Sequence, residues 1–189
     1  LKLSRGLGDV YKRQIVSTVR QKRPELADSV ARSLGHTDAT LAHVAYRALE
    51  ALGTHKSALD VLKNESSSRA QRVGASFALK RIHAPEVVDS LEKHLNDPKD
   101  NLFFHAFEIL ARLYHKEKDW DEKHWGGRPD TRGPYYEMST WEQSSRILNI
   151  LRQAVSLVSN DKVGSYLAIM SQNRIEDNES LLKMVKLAQ

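Results

Sequence analysis

From residue 24 to residue 115 the apolar positions of the chain recur with a helical period. Ala45, Ala75 and Ala106 align with one another, as do Leu49, Leu79 and Leu110, and then Leu52, Ile82 and Leu113, at steps of 30 and 31 residues. Within each segment these positions stand at i, i+4 and i+7. They form one stripe of a 3.6-residue helix, with alanine where a neighbouring helix has to come close. Each segment has an apolar partner upstream: Leu26, Val30 and Leu34 for the first, Leu59 and Leu62 for the second, Val87, Val88, Leu91 and Leu95 for the third. The pattern predicts six helices in three hairpins.

The polar and special residues punctuate the same division. Pro24 and Pro85 suit a first helical turn, Asp38 suits the cap of the helix that runs to Leu52, and Gly35 and Gly53 follow apolar runs as stops. Asn96, Asp97 and Pro98 break the chain before a helix that starts near Asp100. Helical spacing returns from Trp141 to Leu157, with Ile147, Ile150, Leu151, Ala154, Val155 and Val158 apolar and Thr140 as cap. A partner helix follows over Lys162 to Met170, and a last one over Glu179 to Leu187. A lone hairpin cannot bury its stripe. The expected architecture is therefore an all-α solenoid, a right-handed superhelix of stacked hairpins with a concave binding face.

The Ala-x-x-x-Leu-x-x-Leu pattern on each second helix resembles short bacterial HEAT repeats, of the kind also found in phycobilin-lyase-like proteins. Its period is shorter than the roughly 40 to 47 residues of eukaryotic HEAT and armadillo units. Ankyrin and tetratricopeptide patterns fit less well. The chain has no Thr-Pro-Leu-His, and the tryptophan and tyrosine spacing of the latter is absent.

Between residues 116 and 140 the helical period stops. The run KEKDWDEKHWGGRPDTRGPYYEMST holds two prolines and three glycines, and an insertion of about 25 residues without its own period is uncommon unless it is functional or disordered. Its aromatic content argues for function. Trp120, Trp125, Tyr135 and Tyr136, with Trp141 just beyond, offer large amphipathic surface that would pack down on the solenoid or on a partner. Arg128 and Arg132 flank Asp130, and each guanidinium can pair with that carboxylate to lock the loop, stack on a tryptophan face, or meet an anion or partner. These eight residues are the candidate partner-binding site. No residue is assigned a catalytic, cofactor-binding or metal-binding role.

The run from Trp125 to Tyr136, followed by Trp141 and Glu142, resembles a segment of large exported proteins of planctomycete and verrucomicrobial type. Those chains combine a β-propeller dehydrogenase-like domain, HEAT repeats carrying this aromatic loop, and a c-type cytochrome domain. The resemblance covers residues 24 to 160 and is sharpest from 120 to 141. It implies a periplasmic or exported setting and a non-enzymatic segment linking an oxidising domain to an electron acceptor, with a protein as its partner. Neither a propeller nor a Cys-x-x-Cys-His haem motif lies in these residues.

Residues 1–14, LKLSRGLGDVYKRQ, show neither helical nor strand periodicity and read as a tail. The run Gly-Asp-Val-Tyr-Lys-Arg-Gln resembles a translated sequencing-adapter tail that recurs at the ends of unrelated environmental reading frames, so the native protein is expected to extend further upstream. Removing the tail changes the charge. The chain carries 29 basic and 24 acidic side chains, a net of +5. The tail holds four of the former and one of the latter, which leaves +2. Nucleic-acid binding by a solenoid calls for a concentrated basic face, and +2 over the remaining residues makes that partner unfavoured.

The chemistry of enzymes finds little footing. Zero cysteines exclude a disulfide, a thiolate nucleophile and cysteine-ligated zinc within the chain. The eight histidines, at positions 36, 43, 55, 83, 94, 105, 115 and 124, include no His-Glu-x-x-His and no i, i+4 pair. There is no phosphate-binding loop, no Gly-x-Gly-x-x-Gly and no Gly-x-Ser-x-Gly elbow. An alternative class is the HEAT-like DNA glycosylases, whose tryptophans and aspartate hold a damaged nucleotide. Trp120, Asp121 and Trp125 would take that role here, with Arg128 and Arg132 on phosphate. No stretch approaches the roughly 18 apolar residues of a membrane span.

Overall fold

A computed structural model describes residues 2–117 and 138–176, with side chains from residue 8 onward. The described chain is all-α apart from one pair of two-residue strands. Among the described residues nine helices run in order: α1 (Lys2–Arg20), α2 (Ala27–Ala31), α3 (Ala39–Leu52), α4 (His55–Lys63), α5 (Arg69–Leu79), α6 (Pro85–Glu92), α7 (Phe103–Leu113), α8 (Ser144–Leu157) and α9 (Asn160–Gln172). Single 3-10 turns at Pro24–Leu26 and Lys93–Leu95 extend α2 and α6. The strands β1 (Lys116–Glu117) and β2 (Met138–Ser139) pair antiparallel. The chain divides into two compact units, residues 1–87 and 88–189.

In the first unit, α2 and α3 form one hairpin and α4 and α5 the next. First helices meet across the hairpins, α2 against α4, and second helices likewise, α3 against α5. The reason lies in the aligned stripe. Ala45, Leu49, Ala75 and Leu79 are fully enclosed, and Ile82 remains buried although it lies past the end of α5. Burying each large aliphatic side chain contributes about 1.5–3 kcal/mol. The small alanines let the helix backbones approach. Leu52, on the same stripe, is only half-buried.

The ends of these helices are specified locally. The Asp38 carboxylate accepts from the backbone N–H groups of Thr40 and Leu41 and so caps α3. Gly53 ends it in the left-handed region, at φ 65°. Ser68 and Gln71 close a reciprocal capping box on α5. Gly35, expected as a helix stop, does not cap α2, which ends at Ala31 with Arg32 as its C-cap; its small size serves a close approach. A Cβ there would stand 2.8 Å from the Gln71 backbone nitrogen, and one on Gly74 would stand 2.3 Å from the Leu34 carbonyl oxygen. The turn after α2 therefore lies directly on the surface of α5.

Two expectations need correcting in this part of the chain. Residues 1–14 were expected to form no regular element, yet α1 runs from Lys2 through Arg20. Its second half supplies the cause: Ile15 and Thr18 are buried and α1 packs on α3. Once a docked turn exists, adding residues costs little, and the chain upstream continues the helix through Gly6 and Gly8. Lys12 adds an ion pair of 3.1 Å to Asp38, which holds that capping carboxyl below the usual carboxylate range. The second correction concerns the helix expected near Asp100, which begins at Phe103 because Asp97 to Asp100 is spent on a turn. Asp100 accepts from the Leu102 N–H at 2.7 Å and meets His94 Nδ1 at 2.9 Å.

The second unit repeats the scheme with α7 packed against the Lys93–Leu95 turn, α8 and α9. Ala106, Leu110 and Leu113 are fully enclosed, and Phe103 and Phe107 fill the space beside Tyr166 of α9, with ring centroids 5.7 and 4.7 Å away. The partner expected over Lys162 to Met170 is α9. The helix expected over Glu179 to Leu187 lies outside the described residues. α8 begins at Ser144 rather than Trp141, and its N-cap position is Gln143, with no side-chain cap bond, so Thr140 is not its cap. Arg146 on α8 spans to Asp89 and Glu92 of α6 in a two-carboxylate ion pair.

Two glycines make opposite tests of this packing. Gly74→Ala should lower unfolding stability by about 1–3 kcal/mol, the usual cost of forcing an atom into a filled space. Gly164→Ala, in the interior of α9 with nothing within 4 Å of the new Cβ, should raise it by about 0.5–1 kcal/mol. Urea denaturation of both variants checks the signs, and a stable Gly74→Ala protein would refute the contact.

Candidate functional site

Of the eight candidate partner-binding residues, seven (Trp120, Trp125, Arg128, Asp130, Arg132, Tyr135 and Tyr136) lie outside the described residues. Trp141 is described, and with it the base from which the insertion leaves and returns. That base is more ordered than the expected loop over 116 to 140. Lys116 pairs with Ser139 and Glu117 with Met138, and the Ser139 hydroxyl donates to the Lys116 carbonyl at 3.1 Å. The insertion proper therefore starts after Glu117 and ends before Met138.

The base is fixed to the C-terminal end of α7. The last carbonyls of a helix have no partner within it and must find one outside. The Trp141 indole Nε1–H donates to the Leu113 carbonyl at 2.7 Å, and the buried Ser144 hydroxyl donates to the Tyr114 carbonyl at 2.7 Å. That hydroxyl oxygen also accepts from the Trp141 backbone N–H at 2.9 Å. Trp141 is half-buried. It thus satisfies the end of α7 and stands just before α8, with its indole N–H engaged and part of its surface exposed. Arg112 on α7 stands 3.7 Å from Glu117 of β1.

His115 completes the arrangement. Its Nε2–H donates to the Arg174 carbonyl at 3.1 Å, in the turn after α9 where Arg174 takes a left-handed φ of 56°. Burial pushes the His115 imidazole below its ordinary value; the Arg174 carbonyl acts in the opposite sense, and the charges of Arg112 and Arg174 add to the lowering. Neither His115 nor Ser144 is marked by the sequence pattern as part of a site. The signal that could have found Ser144 is the serine at the first turn of an apolar-periodic segment directly after an insertion.

What this arrangement can do is positional. It brings the two ends of a 20-residue stretch, residues 118–137, together on one helix terminus. Among the described residues, no group of three His, Asp or Glu side chains stands close enough to hold a metal ion. No helix among them is long and apolar enough to cross a membrane. In comparisons with known proteins, no family model, no curated protein and no solved structure matches the chain.

Two measurements test the base. Ser144→Ala leaves a buried carbonyl and N–H without their shared partner and should cost about 1–3 kcal/mol in denaturant unfolding, against a near-neutral result if that hydroxyl is idle. The second is the pH dependence of stability. Because the native imidazole of His115 is harder to protonate than the unfolded one, its contribution is complete above about pH 6.5 and is lost as the pH falls below that value. His115→Gln should flatten the stability profile below about pH 6.5 relative to the parent chain; coincident profiles would show that His115 is not the group.

Proposed function

We propose that the chain is a non-catalytic HEAT-type scaffold, part of a larger exported redox protein, whose aromatic insertion docks an adjacent domain or a partner protein. The observation that carries this reading is the anchored base. Trp141, Ser144 and the β1–β2 pair commit six hydrogen-bonding or backbone-paired positions to holding both ends of the insertion at the end of α7. A long surface connection would have no need of such a mount. Stacked hairpins at a 30 to 31 residue step support the HEAT-type reading, and the resemblance of residues 125–136 to the aromatic loop of propeller and cytochrome proteins supports the redox context.

On this reading the insertion supplies the contact chemistry. Trp120, Trp125, Tyr135 and Tyr136 present rigid apolar surface, and Arg128 and Arg132 present planar donors, the residue types that dominate the energetics of protein interfaces. The segment would set the spacing and orientation of two redox domains without touching either reaction.

The test begins with the complete reading frame, in which a β-propeller upstream and a Cys-x-x-Cys-His downstream are expected; a gene lacking both removes the redox context and leaves the scaffold. The docking role has its own readout. Replacing Trp120, Trp125 and Arg128 together with serine should leave the helical circular dichroism unchanged and abolish binding of the separately produced neighbouring domain in calorimetry. Unchanged binding would sink the docking role.

A further inference from the structure

The net charge of +2 outside the tail conceals a partition within the first unit. The layer of second helices, with the docked half of α1, comprises residues 15–20, 39–52 and 69–82, and carries six basic side chains and one acidic. The layer of first helices, residues 24–31 and 55–63, carries two basic and three acidic. Alternation of the two layers along the chain averages this difference away. Only the pairing of α1 with α3 and of α3 with α5 gathers the positive charge on one side of the hairpins.

The same layer exposes apolar surface. On α5, Val73 and Phe77 stand one helical turn apart and are 38% and 48% exposed, which is unusual for side chains of their size in a stacked helix. Phe77 lies against Tyr46 of α3, ring centroids 5.5 Å apart, and Tyr46 in turn meets His43, its hydroxyl 2.6 Å from His43 Nδ1. Lys80 stands over the Phe77 ring at 5.8 Å. Beside this strip, α1 and α3 enclose a groove of about 480 Å³ whose walls include Val16, Val19, Val44 and Ala51, with Arg20 and Arg47 among its lining residues. None of these residues belongs to the first 14.

From this we infer that the outward face of α1, α3 and α5 is a second docking surface, which takes an acidic protein segment through aliphatic or aromatic side chains flanked by carboxylates. Charge complementarity identifies the occupant. Arg20, Arg47 and Lys80 border the apolar strip and groove where flanking carboxylates of such a segment would lie. A nucleic acid fits less well. Arg47 and Arg81 share Glu50, at 2.7 and 2.9 Å, Arg72 donates to the Glu65 carbonyl and Lys80 stands over the Phe77 ring, so few of the layer's six cations are left for the series of phosphates a nucleic acid presents, whereas a short acidic segment needs only the layer's net positive charge. The exposed apolar area between them would gain nothing from a phosphate backbone. The surface is independent of the insertion and shares no residue with it.

The experiment uses the full chain and a fluorescein-labelled peptide of glutamate and aspartate with central leucine and phenylalanine, followed by anisotropy. Controls are a poly-glutamate peptide, the same apolar peptide with lysine for the acids, and single-stranded and duplex oligonucleotides. The acidic apolar peptide should bind and the other probes should bind at least tenfold more weakly. Phe77→Ser should weaken the peptide about tenfold, as expected for a central aromatic contact, with unchanged circular dichroism because the ring is half exposed. Lys80→Glu, a surface change that leaves the apolar strip intact, should weaken it and reduce its salt dependence. Equal binding of poly-glutamate, tighter binding of an oligonucleotide, or indifference to both Phe77→Ser and Lys80→Glu would overturn the inference. Loss of insertion-mediated docking on replacing Trp120, Trp125 and Arg128 would leave it standing.

Discussion

A helix of ten or so residues with a single apolar stripe is marginal alone and cannot cover that stripe with one partner. In this chain the requirement is met by pressing second helices against second helices through alanine, and the turn after α2 against α5 through glycine. Ala45 and Ala75 are fully enclosed, and the Leu34 carbonyl occupies the space a side chain on Gly74 would need. Everything else in the first unit follows from how closely those backbones lie. The leucines at Leu49 and Leu79 reach a common interior only because the smaller residues precede them. The polar devices, the Asp38 cap and the Ser68–Gln71 box, then fix where each helix starts.

The helices were legible because their signals are local and repeated. A stripe at i, i+4 and i+7 copied at a constant step leaves one reading, and α3 to α6 fall where it places them. The misses have a common physical character. α1 carries no stripe in its first half, and what makes it helical is the docking of Ile15 and Thr18 on α3, a contact remote in sequence. Thr140 looked like a cap because it precedes an apolar run, but Ser144 makes the bonds, one of them to a carbonyl on α7 that no sequence window around residue 140 contains. The turn at Asp97 to Asp100 cost the third second helix its expected first residues.

The candidate site was legible only as composition. Tryptophan, tyrosine and arginine in a segment without period raise the expectation of a contact surface, but the pattern gave no account of how such a segment is mounted. Trp141 illustrates the difference. Counted among aromatics offered to a partner, it also gives its indole N–H to Leu113 and stands half-buried at the base. The charge partition of the first unit was hidden for a related reason. Net charge is a sum along the chain, whereas a face is a sum over one layer, and the two agree only when layers are not interleaved.

The β1–β2 pair has a practical consequence. With Glu117 and Met138 held side by side, the intervening residues form a cassette whose length and sequence can change without moving α7 or α8, since sites where chain ends already lie close tolerate exchange and whole-domain insertion. A helical domain with such a port can exchange one segment and leave the rest of its helices untouched.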